Sequence, residues 1–87
     1  MKSASSTHLL SEIKPGVRVI IQGYTQDEVP LKMLEMGLLP GNEILVKGLA
    51  PMKDPIHIEV GGYDLALRKN EAALLVVTEL TNSEALV

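Results

Sequence analysis

The sequence predicts a small all-β barrel of about five strands, with one short helix between the first two strands. Two observations support this prediction. Short stretches in which apolar and polar residues alternate are separated by tight-turn sequences such as Pro-Gly and Gly-Gly. The segment with the best helical pattern is short and lies early in the chain. Closure into a barrel suits a chain of 87 residues because it leaves few strand edges unpaired.

The composition indicates one domain and narrows the function classes. The chain has no Phe or Trp and only two Tyr, so aliphatic side chains and Met must fill the core. Scarce aromatic residues, a net charge of −3 and scattered Lys and Arg argue against a nucleic-acid partner. The absence of Cys excludes disulfides and thiolate metal sites and is compatible with a cytoplasmic location. No apolar run in the sequence is long enough to span a membrane.

The barrel domain is predicted over residues 9–80, between a disordered leader at residues 1–8 and a tail at residues 81–87. Its first part is a helical turn in LLSEIKPG, followed by the first strand in VRVIIQGY. No internal repeat or low-complexity segment is present. The leader and the tail are therefore treated as flanks of a single folded unit.

The middle of the chain predicts the helix and the corner that follows it. In TQDEVPLKMLEMG, Asp27 is the expected cap of the first turn, and Gly37 is expected to end the helix in a left-handed conformation. Pro40 and Gly41 predict a tight turn, because Pro presets φ and Gly accepts a positive φ. The second strand is then expected over residues 43–50.

The second half predicts a hairpin and a closing strand. IHIEV alternates, so its apolar residues are expected to face inward, and His57 and Glu59 outward. Gly61 and Gly62 predict a two-residue turn of the primed type, after which YDLALR returns as the next strand. KNEAA predicts one helical turn capped by Asn70, and LLVVTEL predicts the last strand.

The predicted helix is apolar on nearly every side and is the candidate interaction surface. On a helical wheel Leu31, Leu34 and Leu38 share one face, while Met33 and Met36 lie toward the other. Exposed methionines would form a surface that adapts to partners, whereas burial across an open barrel end would complete the core. The missing Phe and Trp favour burial, with part of the helix still accessible. The candidate partner-contact residues are Leu31, Lys32, Met33 and Met36.

No catalytic motif is present in the sequence, which lacks a nucleophile elbow, a Gly-rich phosphate loop and a zinc-protease helix motif. His57 with Asp54 or Glu59 is the arrangement that could carry general acid–base chemistry. A solvated strand face accounts for these residues better than a catalytic pair does. We therefore expect a protein that is not an enzyme.

The same residues are the candidate metal ligands. His57 and Glu59 are two residues apart and share one face of a predicted strand, with Asp54 or Glu43 as a further donor. Two imidazole or carboxylate ligands form a labile site unless a third joins them. The sequence therefore predicts no tightly bound cofactor and at most a transient contact with a transition metal ion such as Fe²⁺.

Short strands and an early helix favour an SH3-like barrel over an OB-fold. Three blocks in order, LSEIKPG, LKMLEMGLLPGNEI and APMKDPIHIEVGGYDLALRKNEAALLVV, resemble the FeoA family, small cytosolic proteins of bacterial ferrous-iron transport. The resemblance runs from about Leu9 to Leu80. The matching residues of the second and third blocks are Met33, Leu34, Glu35, Met36, Gly37, Leu38, Pro40, Gly41, Glu43, Ile44, Ala50, Pro51, Asp54, Pro55, Ile56, Gly62, Tyr63, Leu65, Ala66, Leu67, Arg68, Glu71 and Ala72.

The resemblance implies an SH3-like barrel and an accessory or regulatory role in ferrous-iron uptake. It implies a protein–protein interaction with the FeoB permease. In this interaction the accessory protein would act on the cytosolic GTPase region of that membrane protein. A cytoplasmic protein would then be recruited to the inner face of the membrane without spanning it. The first loop of the family is usually basic, whereas YTQDEVPLK is acidic and offers only Lys32, so the chain departs from the family there.

Two other function classes remain open. An SH3-like module of this kind occurs in some iron- or manganese-dependent repressors, so the alternative is a sensor module that binds a transition metal. The third class is an RNA-associated SH3-like barrel, against which the acidic balance and the scarce aromatic residues count. An exposed Met-Leu helix would also permit weak self-association.

Overall fold

The computed structural model describes residues 7–80, which form an antiparallel six-stranded sheet and two short helices. The strands are β1 (Thr7–Leu9), β2 (Arg18–Tyr24), β3 (Glu43–Leu49), β4 (Ile56–Val60), β5 (Tyr63–Leu67) and β6 (Leu75–Glu79), and the helices are α1 (Leu31–Glu35) and α2 (Lys69–Ala72). The strand order in the sheet is β1-β6-β2-β3-β4-β5. The predicted all-β fold is confirmed, and α1 lies between the first two predicted strands, β2 and β3.

The additional strand, β1, corrects the predicted leader. The sequence predicts disorder over residues 1–8, yet Thr7 and His8 lie in β1 and pair with β6. A strand of three residues is too short to show a period of two, so the sequence pattern alone does not reveal it. Residues 1–6 of the predicted leader and the tail at residues 81–87 lie outside the described residues.

The core consists mostly of aliphatic side chains that point inward from the strands, with further residues from the helices and connections. Ile56, Ile58 and Val60 of β4 are buried, as the alternation in IHIEV predicts. The helix α1 contributes Met33, which is fully buried, and α2 contributes Ala72. The other buried hydrophobic residues are Leu10, Ile13, Val19, Ile21, Leu38, Ile44, Val46, Leu67, Leu75 and Val77.

The predicted turns are confirmed by their backbone angles. Gly37, at the end of α1, has a φ of +86°, and Gly41, after Pro40, has a φ of +95°. Gly61 and Gly62 have φ values of +58° and +87°, as a primed hairpin turn between β4 and β5 requires. These glycines therefore occupy the left-handed region that other residues enter at a cost.

The two predicted helix caps are wrong. The helix α1 begins at Leu31, directly after Pro30, and no side chain caps it. Because the residue before a proline disfavours the helical conformation, the helix starts after Pro30 and leaves Asp27 outside it. Asn70 lies inside α2 rather than at its cap, where the carboxylate of Glu71 accepts a hydrogen bond from the backbone amide of Arg68.

Candidate partner-binding surface

Three exposed leucines lie on and just after α1, and we call them the helix surface: Leu31, Leu34 and Leu39. Their exposed fractions are 66%, 36% and 43%. Leu31 and Leu34 are three residues apart on one helix, and large exposed apolar patches mark interaction sites more often than isolated apolar residues do. The helix surface is therefore the candidate binding surface of this domain.

The four predicted contact residues differ in their exposure to solvent. Leu31 and Lys32 are exposed, and Met36 is half-buried where it packs against the core. Met33 is fully buried, as the missing Phe and Trp favour, and is therefore not accessible to a partner in this fold. The buried Met33 fills space in the core of a domain that has no Phe or Trp.

The predicted leucine face of the helix is split. Leu38 is fully buried, whereas Leu31 and Leu34 are exposed. The reason is that α1 ends at Glu35 and Gly37 then redirects the chain, so the wheel does not extend to Leu38. A helix of only five residues is too short for its apolar positions alone to decide which side faces inward.

Two contacts hold α1 and its corner against the rest of the domain. The ammonium group of Lys32 pairs with one carboxylate oxygen of Glu71 in α2, and the other oxygen accepts the Arg68 amide at 3.0 Å. The hydroxyl of Tyr24 donates a hydrogen bond to the carbonyl oxygen of Leu38 at 2.7 Å. Both contacts restrain the position of α1 and its corner relative to the rest of the domain.

The hydrogen bond from Lys32, followed by the one from the Arg68 amide, lowers the pKa of Glu71 below its ordinary value of 4.5. Glu71 is therefore ionised at neutral pH, and its side chain is only 19% exposed. An ionised, mostly covered carboxylate between two donors keeps Lys32 paired within the domain. Lys32 is consequently less available as a free charge for a partner.

An open groove of about 580 Å³ lies beside the C-terminal end of α1. Met36, Gly37, Tyr63 and the two glycines of the β4–β5 turn are among the residues that line it. Arg18 and Glu43 also line the groove, with 4.0 Å between the guanidinium nitrogen and a carboxylate oxygen. The groove gives the helix surface a neighbouring recess with both apolar and charged walls.

The candidate metal ligands do not form a group of three within residues 7–80. His57 and Glu59 lie on the outer face of β4, as predicted, but the Lys47 ammonium is 3.9 Å from a carboxylate oxygen of Glu59. Asp54 accepts a hydrogen bond from the backbone amide of Lys69 at 3.0 Å, at the start of α2. Within residues 7–80 no group of three or more His, Cys, Asp or Glu side chains is placed to hold a metal ion.

The sequence analysis did not place Leu34 and Leu39 among the candidate contact residues, and it did not predict the contacts of Tyr24 and Glu71. Leu34 follows Leu31 by three residues, so it lies on the same side of a helix, and this spacing could have revealed it. No local pattern connects Glu71 to α1 or Tyr24 to the corner, because each pair is distant in the chain and meets only in the folded barrel.

The fold and the helix surface together define a small β-barrel domain with an exposed apolar helix. Among the residues that the structure describes, no helix has the length and hydropathy needed to cross a bilayer. The chain belongs to the FeoA domain family, whose sequence profile matches residues 8–79. The resemblance that the sequence blocks indicate is therefore confirmed.

Individual relatives agree with this assignment. An Fe(2+) transport protein A/Fe(2+) transporter FeoB fusion protein of Porphyromonas gingivalis is 35% identical over 77 residues. That match covers 87% of this chain and 9% of the fusion protein, so the chain spans a small part of that relative. A FeoA-like protein from Clostridium acetobutylicum, solved by NMR, is 35% identical with a TM-score of 0.80, covering 90% of this chain and 92% of that one.

A zinc complex is among the similar structures. FeoA of Stenotrophomonas maltophilia, described as an SH3 domain protein complexed with zinc, is 26% identical with a TM-score of 0.66. The match covers 84% of this chain and 89% of that one, and it confirms the predicted SH3-like fold. IdeR of T. acidophilum has a TM-score of 0.72 at 20% identity over 92% of this chain and 37% of its own, a likeness of fold alone.

Proposed function

We propose that this protein is an accessory protein of ferrous-iron uptake that binds the cytosolic GTPase region of a FeoB-type permease through its helix surface. The observation that carries the proposal is the set of exposed leucines on α1 and just after it, Leu31, Leu34 and Leu39. An ion pair from Lys32 to Glu71 holds this helix against the rest of the domain. A rigid apolar surface binds at a lower entropic cost than a flexible one. The role is that of a binding module rather than an enzyme.

The fusion relative supports the choice of partner. In the Porphyromonas gingivalis protein, a FeoA-like part and a FeoB transporter occur in one chain. Covalent linkage raises the effective concentration of two modules for each other, which is useful when their direct contact is weak. For a separate chain, the same contact would bring a cytoplasmic protein to the inner face of the membrane.

The test is an NMR titration of the labelled protein with the purified GTPase region, using variants of the helix surface. Shifts should cluster on residues 31–39, and Leu31→Gln and Leu34→Gln should each weaken binding about tenfold, as the loss of a central apolar contact does. Met52→Gln is the matched control, because Met52 is 93% exposed but lies in the loop between β3 and β4. Shifts that avoid residues 31–39, or equal losses in the control, would overturn the proposal.

A second candidate function is favoured by the zinc complex of the Stenotrophomonas maltophilia relative: a sensor module that binds a transition metal. In this chain His57 is the exposed imidazole of β4, and Glu59 lies beside it next to the Lys47 ammonium. An anaerobic Fe²⁺ titration of the wild type and of His57→Ala distinguishes the two. Saturable shifts at His57 and Glu59 that His57→Ala abolishes would support the sensor, and their absence would favour the permease partner.

A further inference from the structure

The strand β5 forms one edge of the sheet, and among residues 7–80 it pairs only with β4. The register joins Val60 to Tyr63 across the two-glycine turn, so Tyr63, Leu65 and Leu67 exchange hydrogen bonds with β4. In an antiparallel pair the residues between these direct their backbone groups the other way. Asp64 and Ala66 therefore point their amide and carbonyl groups out of the sheet.

These outward groups are accessible. Asp64 and Ala66 are both exposed, and within the described residues neither forms a backbone hydrogen bond to a third element. A row of unpaired backbone amide and carbonyl groups can pair with a further strand, either parallel or antiparallel to β5. The opposite edge, β1, is shorter, with three residues against the five of β5.

We propose that a second copy of this chain pairs with β5, antiparallel, about a twofold axis through Leu65. In this arrangement Asp64 of each copy lies opposite Ala66 of the other, and the two Leu65 side chains face each other. Each of the two Asp64–Ala66 pairs exchanges both of its backbone hydrogen bonds, which gives about four bonds across the axis. The six-stranded sheets would then continue through the axis into each other.

The charges and the occupied backbone groups select this register over its neighbours. A shift that centres the axis on Asp64 places the two Asp64 carboxylates directly opposite each other, which is destabilising. A shift that centres it on Ala66 requires the backbone amide of Arg68, which already donates to Glu71 at 3.0 Å. The register centred on Leu65 avoids both conflicts, and Lys47, 3.1 Å from Asp64, offsets the remaining negative charge.

The side chains on this edge also suit a second copy. Leu65 is half-buried and packs against the core, so a facing Leu65 would cover its remaining exposed part. Ala66 is small and leaves room for the Asp64 side chain of the other copy. One short strand pair buries less surface than a standard stable interface, so the dimer should form at millimolar rather than nanomolar concentration.

The first test uses the unaltered protein. Amide shifts measured over a range of concentrations should move together at residues 63–67, and sedimentation should show a monomer–dimer equilibrium over the same range. In a mixture of labelled and unlabelled chains, a filtered NOE should connect Leu65 of one copy to Leu65 of the other. A monomer at every concentration, or concentration-dependent shifts confined to residues 31–39, would overturn the proposal.

The second test removes one outward amide. Ala66→Pro deletes an N–H that faces away from β4, at an edge position where proline is tolerated, and should abolish the dimer. Ala66→Ser is the matched control, because it alters the side chain but keeps the amide, and it should dimerise as the wild type does. A folded Ala66→Pro protein that dimerises normally would overturn the proposal. The inference rests on the free edge alone, so it stands or fails separately from the role of the helix surface.

Discussion

The ammonium group of Lys32 in α1 pairs with the carboxylate of Glu71 in α2, and that carboxylate also accepts a hydrogen bond from the Arg68 amide. One side chain thus caps the short helix α2 and holds α1 against it. Ion pairs on protein surfaces contribute little by themselves. Glu71 differs because it is mostly covered and satisfies two donors at once.

We expect Glu71→Gln to lower the free energy of unfolding by about 1 kcal/mol at neutral pH, through loss of the charged hydrogen bonds. Because the pKa of Glu71 is lower in the folded state than its ordinary 4.5, the carboxylate stabilises the fold above that value. This contribution is lost as the pH falls through the lowered pKa. Urea unfolding at neutral pH and well below pH 4.5 should therefore show a difference that vanishes in acid.

Glu79→Gln is the control for the Glu71 experiment, because Glu79 is exposed on β6 and forms no ion pair among the described residues. It changes the net charge by the same amount. An equal loss of stability in both variants would mean that overall charge, and not the link between the two helices, is responsible.

The hydroxyl of Tyr24 fixes the corner after α1, and its removal tests that contact. Tyr24→Phe should lower the free energy of unfolding by about 1 kcal/mol, because the Leu38 carbonyl loses its donor in a partly buried position. Urea unfolding measures the change. Tyr63→Phe is the matched control and should change stability by less than about 0.5 kcal/mol, since Tyr63 is 74% exposed. Equal losses would contradict the role of the corner hydrogen bond.

The parts of the fold that sequence predicts well are those that depend on neighbouring residues. The alternation in IHIEV identifies β4 and its inward face, and Gly61 and Gly62 identify the turn after it, because both patterns are local. The pairing of β1 with β6 and the contact between Lys32 and Glu71 connect distant segments. No periodicity in one sequence reveals which distant segments meet.

The candidate site was predicted only in part for the same reason. A helical wheel gives the angles between Leu31, Met33 and Leu34, but it does not give the direction of the core, which the tertiary fold sets. In this domain the core lies on the Met33 side. The helix could therefore be located from the sequence, whereas the structure was needed to show which of its faces is exposed.

The left-handed conformation of Gly37 makes a further prediction. Gly37→Ala should lower the free energy of unfolding by about 1–2 kcal/mol, because an L-residue is strained at a φ of +86°. The added Cβ would be 3.7 Å from Val60, an ordinary contact, so the cost comes from the backbone and not from a clash.

Gly48→Ala in β3 is the matched control for Gly37→Ala. A Cβ at Gly48 meets nothing within 4 Å, and its φ lies outside the left-handed region. Thermal or urea unfolding should show little change or a small gain for this variant. A loss as large as that of Gly37→Ala would contradict the assignment of the cost to the backbone angle.

Substitutions at two positions of α1 should separate stability from partner binding. Met33→Ala should lower the free energy of unfolding by about 2–5 kcal/mol, because Met33 is fully buried and its truncation leaves a cavity. Leu31→Ala should change it by less than about 0.5 kcal/mol, because Leu31 is 66% exposed. Urea unfolding measures both effects, and titration with the GTPase region measures affinity. If Leu31→Ala left affinity unchanged while the protein stayed folded, Leu31 would have no part in binding. That result would count against the helix surface as the binding site, because Leu31 is its most exposed residue.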